Sequence, residues 1–239
     1  MIYIAAPWGN YLHFRGIRSV RGSFTLMPRP GLIKQLAKTL RYRNGAWHNA
    51  LGLRNPGVDF GIRKYNARKG DVLSLAAVEP RDWEYLNQVV PEDVDVELNL
   101  SCPNIEHFEN YAAGAELFLN GKRKVIAKLS PHIQATQVQE LLHLGFTSFH
   151  CCNTLPTKHG GRSGRDLRLY VTQTMDFIWR HCNPYDNIEV IAGGGITTIE
   201  DIQYYHYNGA TAFSLGTVCF HPIKLYKLIR DINEQIFID

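Results

Sequence analysis

The sequence predicts an α/β fold, a single-domain (β/α)8 TIM barrel, on three observations. Eight short apolar runs recur along the 239 residues, most of them rich in β-branched side chains and short enough to be strands. Helix-like segments stand between several of the runs, and strands alternating with helices imply a parallel sheet covered by helices. No low-complexity tract or Pro/Ser-rich linker divides the chain, so residues 1–239 read as one domain. The number and even spacing of the runs favour a barrel over a doubly wound open sheet.

In a barrel the chemistry sits where strands end. The first run, Ile2–Ala6, ends at Ala5-Ala6-Pro7, where small side chains let a flat ligand approach the backbone. The second, Ile17–Leu26, carries Gly22-Ser23 near its tip, and the stretch His48–Gly57 after it reads as a loop. The third is Val72–Ala77. The fourth, Val94–Leu100, alternates: Val94, Val96, Leu98 and Leu100 point one way, Asp95, Glu97, Asn99 and Ser101 the other. An apolar core has no use for that polar face, which runs on into Cys102, Pro103 and Asn104. A ligand rich in carbonyl and N–H groups would pair with it.

The fifth run, Val125–Leu129, puts the Lys128 ammonium at the tip of an apolar strand. The sixth, Ser148–Cys152, leads into Asn153-Thr154 and then a glycine loop, Gly160–Gly164, able to offer N–H groups to an anion. The seventh, Glu189–Ala192, and the eighth, Thr211–Leu215, end in Gly193-Gly194-Gly195 and Gly216-Thr217. Glycine turns opening two neighbouring helices make a phosphate site, because free N–H groups and helix dipoles converge there. Helical periodicity covers Gln134–Leu144 with a stop at Gly145, Leu169–Arg180, Thr198–Tyr207 with Thr197 or Thr198 as cap, and Ile223–Ile236.

Composition narrows the function. A net charge of +4 is mild, and the basic residues read as scattered apart from Lys122-Arg123-Lys124, which gives a nucleic-acid role little support. Five cysteines without CxxC spacing encode no zinc or iron–sulfur site and no disulfide framework. The apolar N-terminus is too short for a signal peptide or a membrane span, so a soluble cytoplasmic protein is expected. No GxGxxG dinucleotide fingerprint is present.

At these residues the sequence resembles the dihydroorotate dehydrogenases, flavin enzymes of pyrimidine biosynthesis. The matching pieces, in the family's order, are Thr25–Arg29, Asn49–Val58, Glu97–Asn104, Lys128–Pro131, Asn153-Thr154, Gly160–Gly164, Ala192–Ile196 and Ser214–Thr217. The resemblance implies FMN at the barrel mouth with dihydroorotate stacked on it. It implies Cys102 as the base, as in the soluble cysteine-using class 1. Asn49, Asn99, Asn104 and Asn153 would hold the substrate, with Thr154 and the backbone at Leu51-Gly52-Leu53. Lys128 would stand at the flavin's pyrimidine edge; Ala5, Ala6, Ser23, Asn49, Asn99 and Cys152 would line the flavin. Gly164, Gly194, Gly195, Gly216 and Thr217 would hold its phosphate.

The chain departs from the family pattern in several places. No N-terminal hairpin precedes the first strand, Gly9–Gly22 is compressed, and the segment after Asn104 is short. The family's strand-2 lysine is replaced by Gly22, with Arg21 beside it expected to compensate only in part. These departures favour, as an alternative, a barrel that binds FMN or a phosphoryl ligand without turnover. A tRNA-dihydrouridine synthase-like enzyme would need a basic RNA surface and a further helical domain. With no iron–sulfur cysteines and no dinucleotide fingerprint, fumarate or another soluble molecule is the simplest electron acceptor, with an NAD-linked partner subunit as the alternative, and a homodimer follows from the resemblance alone. The partner read from the residues is a small molecule, with neither nucleic acid nor membrane.

Overall fold

The computed structural model describes residues 1–101, 112–183 and 186–236. In chain order the strands are β1 (Ile2–Ile4), β2 (Arg18–Phe24), β3 (Arg41–Arg43), β4 (Ala46–Asn49), β5 (Asp71–Leu75), β6 (Val96–Asn99), β7 (Val125–Lys128), β8 (Ser148–Cys151), β9 (Leu155–Thr157), β10 (Gly160–Ser163), β11 (Glu189–Ala192) and β12 (Ala212–Leu215). Eight of them close into a barrel in the order β1-β12-β11-β8-β7-β6-β5-β2. Every neighbouring pair in it is parallel. These eight coincide with the eight apolar runs, so the barrel expectation holds and the open sheet is set aside.

The helices are α1 (Leu32–Thr39), α2 (Val58–Lys64), α3 (Asp82–Val89), α4 (Ala135–His143), α5 (Arg168–His181), α6 (Ile199–Tyr207) and α7 (Pro222–Ile236). The last four fall where periodicity puts them. α6 begins with a capping box in which Thr198 and Asp201 each accept from the other's backbone, so Thr198, not Thr197, is the cap.

Strand alternation sorts side chains into two packed regions. Tyr3, Val20, Val72, Ile126, Ile191 and Ala212 fill the lower barrel interior. The opposite faces, among them Ile4, Leu73, Leu98 and Phe149, join Trp83, Leu86, Val138 and Ile178 from the helices in a larger core. Burying each large apolar side chain is worth about 1.5–3 kcal/mol, so the outer layer dominates the favourable side of folding. Polar groups seal the N-terminal end of the barrel: Tyr3 Oη donates to Glu189 Oε1 at 3.1 Å, and Lys124 Nζ lies 2.7 Å from Glu189 Oε2. A hollow of about 660 Å³ at this end is lined by Arg123, Lys124, Ser148 and Glu189 and holds none of the expected site residues.

Two expectations are corrected. Gly160–Ser163 is not a loop but strand β10, paired antiparallel to β4 on one side and β9 on the other, so its amides serve a ladder rather than an anion. Its glycines answer a packing need. A Cβ on Gly160 would lie 2.2 Å from the Asn49 carbonyl oxygen, and one on Gly161 2.2 Å from Thr154 Oγ1. Likewise His48 and Asn49 lie on β4, within the four-stranded sheet β3-β4-β10-β9, rather than in a loop.

Candidate active site

The polar face of β6 points into the barrel, where Glu97 is fully buried. Its Oε1 accepts from Ser74 Oγ at 2.9 Å and stands 3.5 Å from Lys128 Nζ. Its Oε2 is 2.7 Å from His150 Nδ1. Burial alone would push this carboxyl up, but Lys128, His150 and Ser74 outweigh it and hold the group at about 2. Burial pushes His150 down, so the ring is neutral and its Nδ1–H donates to the carboxylate. The charge pair at the barrel centre is therefore Glu97 with Lys128.

A chain of hydrogen bonds climbs from this pair to the mouth. Ser74 Oγ lies 2.8 Å from Ser23 Oγ, and Asn99 Nδ2 donates to Ser23 Oγ at 3.3 Å. Asn99 Oδ1 accepts from Ser101 Oγ at 2.6 Å and from Asn153 Nδ2 at 3.2 Å. Asn153 Oδ1 accepts from the Thr154 amide at 2.9 Å. These bonds fix which end of each amide is donor and which acceptor. Of the expected substrate-binding residues, Asn99, Asn153 and Thr154 are thus brought together with Ser23 and Lys128. Asn49 reaches the same region through the pairing of β4 with β10.

Leu51, Gly52 and Leu53 lie on the turn after β4, with left-handed backbone at Gly52 (φ 61°) and Leu53 (φ 55°). Asn55, buried beyond them, ties the turn down: its Oδ1 accepts from the Thr25 and Gly57 amides at 3.1 and 2.8 Å. Cys102 and Asn104 lie outside the described residues. Among the described cysteines, burial pushes the Cys152 and Cys219 thiols up to about 12 and holds Cys151 well above its ordinary value, so none of these three supplies a thiolate base.

The glycine turns after β10 and β11 meet. A Cβ on Gly195 would lie 2.7 Å from Arg165 Cα and 2.9 Å from the Gly164 carbonyl carbon, so these two turns touch. A Cβ on Gly216 would lie 3.6 Å from Ala5 Cβ, which joins the ends of β12 and β1, with Ala6 packed on the barrel interior beside them. Thr217 opens a short 3-10 turn, Thr217–Phe220, whose first amides have no partner within the turn. Among the described residues the Gly194, Gly195 and Ile196 amides make no hydrogen bond. Ser214 Oγ is buried without a hydrogen-bond partner among the described residues.

Several residues here were not singled out from sequence. Asp201 accepts from the Thr197 amide and side chain at 2.9 and 3.0 Å and pairs with Arg165 and Arg168, bracing the turn from behind. Tyr205 Oη donates to the Gly194 carbonyl at 2.7 Å. Phe220 stacks on Trp47 at 4.2 Å with Trp8 edge-on at 4.7 Å, linking the small sheet to the barrel rim. The spacing Thr198…Asp201 was a legible capping signal; the others depend on chain folding that no local pattern encodes.

Strand 2 differs from expectation. Gly22 has φ 119°, and a Cβ there would lie 2.4 Å from the Ser74 carbonyl oxygen. Asn10 holds the Gly22 peptide on both sides, accepting from its N–H at 3.2 Å and donating to its C=O at 3.4 Å. Arg21 points to the outer side of the barrel and pairs with buried Asp71 at 3.3 Å. It therefore supplies no charge at the mouth, and the expected partial compensation does not occur.

The family model described as dihydroorotate dehydrogenase matches residues 16–236. The catalytic subunit of dihydroorotate dehydrogenase B (NAD(+)) from Thermococcus kodakarensis is 29% identical over 217 residues, covering 79% of this chain and 70% of that protein. The protein of the same name from Bacteroides thetaiotaomicron is 29% identical over 227 residues, covering 79% and 72%. A putative dihydroorotate dehydrogenase A (fumarate) from Aquifex aeolicus is 28% identical over 222 residues, covering 78% and 71%. The crystal structure of DHODH from Eimeria tenella in complex with ferulenol aligns with a TM-score of 0.66 at 18% identity, covering 98% of this chain and 82% of that one; it supports the fold.

Proposed function

Because the chain belongs to the dihydroorotate dehydrogenase family, we propose that it is an FMN-dependent oxidoreductase that converts dihydroorotate to orotate. The observation that carries the reading is the hydrogen-bonded chain from Glu97 and Lys128 through Ser74 and Ser23 to Asn99 and Asn153, which ends at the barrel mouth. The residues fit FMN: the touching Gly164 and Gly195 turns, the unbonded Gly194–Ile196 amides and the orphaned Ser214 hydroxyl favour a phosphate-bearing ligand with further polar groups. Gly194, Gly195, Gly216 and Thr217 would hold the phosphate, and Ala5, Ala6 and Cys152 would leave room for a flat ring.

When bound, FMN supplies the acceptor for the hydride that leaves C6 of the substrate. The chain does the rest. Asn49, Asn99 and Asn153 meet the ring's amide edge with neutral donors and acceptors that do not titrate. Cys102 Sγ takes the proton from C5, and Asn104 stands two positions on to complete the amide set. Lys128, held by Glu97, keeps a fixed positive charge where negative charge grows.

The visible spectrum of the purified protein, recorded anaerobically before and after adding dihydroorotate, tests the reading. A yellow protein that bleaches supports it; a protein that cannot be loaded with FMN removes it. Gly22 favours a second reading, a barrel that binds FMN without turnover, because no cation can replace the missing lysine at that position. A loaded protein that fails to bleach would select it. The acceptor that reoxidises the enzyme is proposed to be either a soluble molecule such as fumarate or an electron-transfer subunit.

A further inference from the structure

Helix α1 is docked the wrong way round for a globular protein. With successive residues about 100° apart, Leu32, Ile33, Leu36, Ala37 and Leu40 share one arc, while Lys34, Gln35, Lys38 and Thr39 share the other. An ordinary surface helix buries the apolar arc. Here the polar arc makes the anchoring bonds: Gln35 Nε2 donates to the Ala50 carbonyl at 2.6 Å, and Thr39 Oγ1 accepts from the Ala50 amide at 3.1 Å. No residue of the helix is buried. Ile33 is 84% exposed and Leu36 40%, with Met27, 70% exposed, just before the helix.

The charge around this helix is one-sided. Residues 1–58 contain no aspartate or glutamate at all, so the basic residues are less evenly scattered than they first read. From Thr25 to Val58 the basic residues are Arg29, Lys34, Lys38, Arg41, Arg43 and Arg54, and all but Arg29 are exposed. An outward apolar arc flanked by lysines is the pattern of a helix that lies in a bilayer interface, apolar side chains dipped among the acyl chains and ammonium groups at the headgroups.

We propose that α1, with the basic strand β3 beside it, docks this protein on an anionic lipid surface, peripherally and without spanning it. A protein partner is the weaker fit. A stable protein interface needs roughly 800 Å² of complementary surface per side, whereas this is one convex two-turn helix with a few protruding side chains. A lipid surface needs only the protruding arc and the surrounding positive charge.

Vesicle flotation tests this, using the full chain and vesicles of phosphatidylcholine with or without phosphatidylglycerol. The wild type is expected to float with the anionic vesicles only, and to detach as salt is raised. Ile33→Asp with Leu36→Asp should abolish flotation, while circular dichroism and melting temperature stay near wild type because no residue of the helix is buried. Lys34→Gln with Lys38→Gln forms an independent arm, expected to weaken binding about five-fold per lysine, the equivalent of about 1 kcal/mol each. No flotation of the wild type, equal flotation on both vesicle types, or flotation unchanged in both double variants would each overturn the proposal. So would a wild type that stays off vesicles but sediments as a dimer that the Ile33→Asp/Leu36→Asp variant dissociates, since the arc would then cover a protein. None of these outcomes depends on flavin or on dihydroorotate.

Discussion

Gly22 shows how one residue can close a route that its neighbours leave open. Its φ of 119° and the 2.4 Å approach to the Ser74 carbonyl oxygen exclude any side chain. Gly22→Lys is therefore expected to lower the melting temperature by several degrees or more and to weaken FMN binding, not to restore activity. Arg21→Ala should separate stability from chemistry. It takes one partner from Asp71, whose side chain is fully buried and keeps the Asn66 amide at 2.9 Å and His13 at 3.6 Å, and should cost on the order of 1–3 kcal/mol in urea unfolding. Flavin reduction per bound flavin should not change, because Arg21 lies on the outer side of the barrel; a large rate loss would show that strand 2 reaches the mouth by another route. Cys102 carries the opposite expectation. Cys102→Ala should keep FMN but slow anaerobic reduction by roughly 10²–10⁴-fold, the usual worth of a positioned base. Cys102→Ser should retain a fraction that grows with pH. Cys219→Ala should stay near wild type, because burial holds that thiol at about 12. Equal rates for Cys102→Ala and wild type would remove the assignment.

At the scale of elements, the barrel strands were legible because each is a short run of alternating or continuous apolar residues. Gln134–Leu144 and Thr198–Tyr207 were legible through period and cap. The first three helices were not. α1 hides because its apolar arc faces solvent, and α2, Val58–Lys64, is two turns with a glycine inside it. The strands of the small sheet hide because β3 is Arg-Tyr-Arg, without a buried residue, and β10 is Gly-Gly-Arg-Ser, a composition that reads as loop. The site was readable where strand ends carried amides, lysine or glycine pairs. It was unreadable where the partner came from afar, as with His150 beneath Glu97 or Asp201 behind the glycine turn. The phosphate turn gives an element-scale test. Gly195 has φ 69° and abuts the Arg165 backbone, so Gly195→Ala must shift the turn away from Gly164. FMN affinity, followed by flavin fluorescence on titration, should fall at least ten-fold with little change in the far-ultraviolet dichroism; unchanged affinity would place the phosphate elsewhere.

For the whole molecule, the barrel is a shell of apolar packing that encloses the Glu97–Lys128 pair, and that arrangement makes stability depend on pH in a defined direction. Glu97 lies at about 2 in the folded protein against an ordinary value of 4.5. A carboxyl depressed by folding adds stability above its unfolded value, and that contribution is lost as pH falls through the folded value. The window is thus from about 4.5 down to about 2. Glu92, Glu189, Glu200 and Asp201 are lowered too, so acid unfolding of the wild type reports these carboxyls together. Glu97→Gln isolates one of them. At pH 7 the variant should be less stable by on the order of 2–4 kcal/mol, because Lys128, with its side chain 8% exposed, loses its counter-ion. As pH falls below about 4.5 the wild type begins to protonate the same carboxyl, and the gap between the two urea midpoints should narrow. A gap that stays constant from neutral to acid pH would mean that Glu97 is already protonated in the folded barrel, and that Lys128 enters the mouth as an unpaired cation rather than as half of a buried pair.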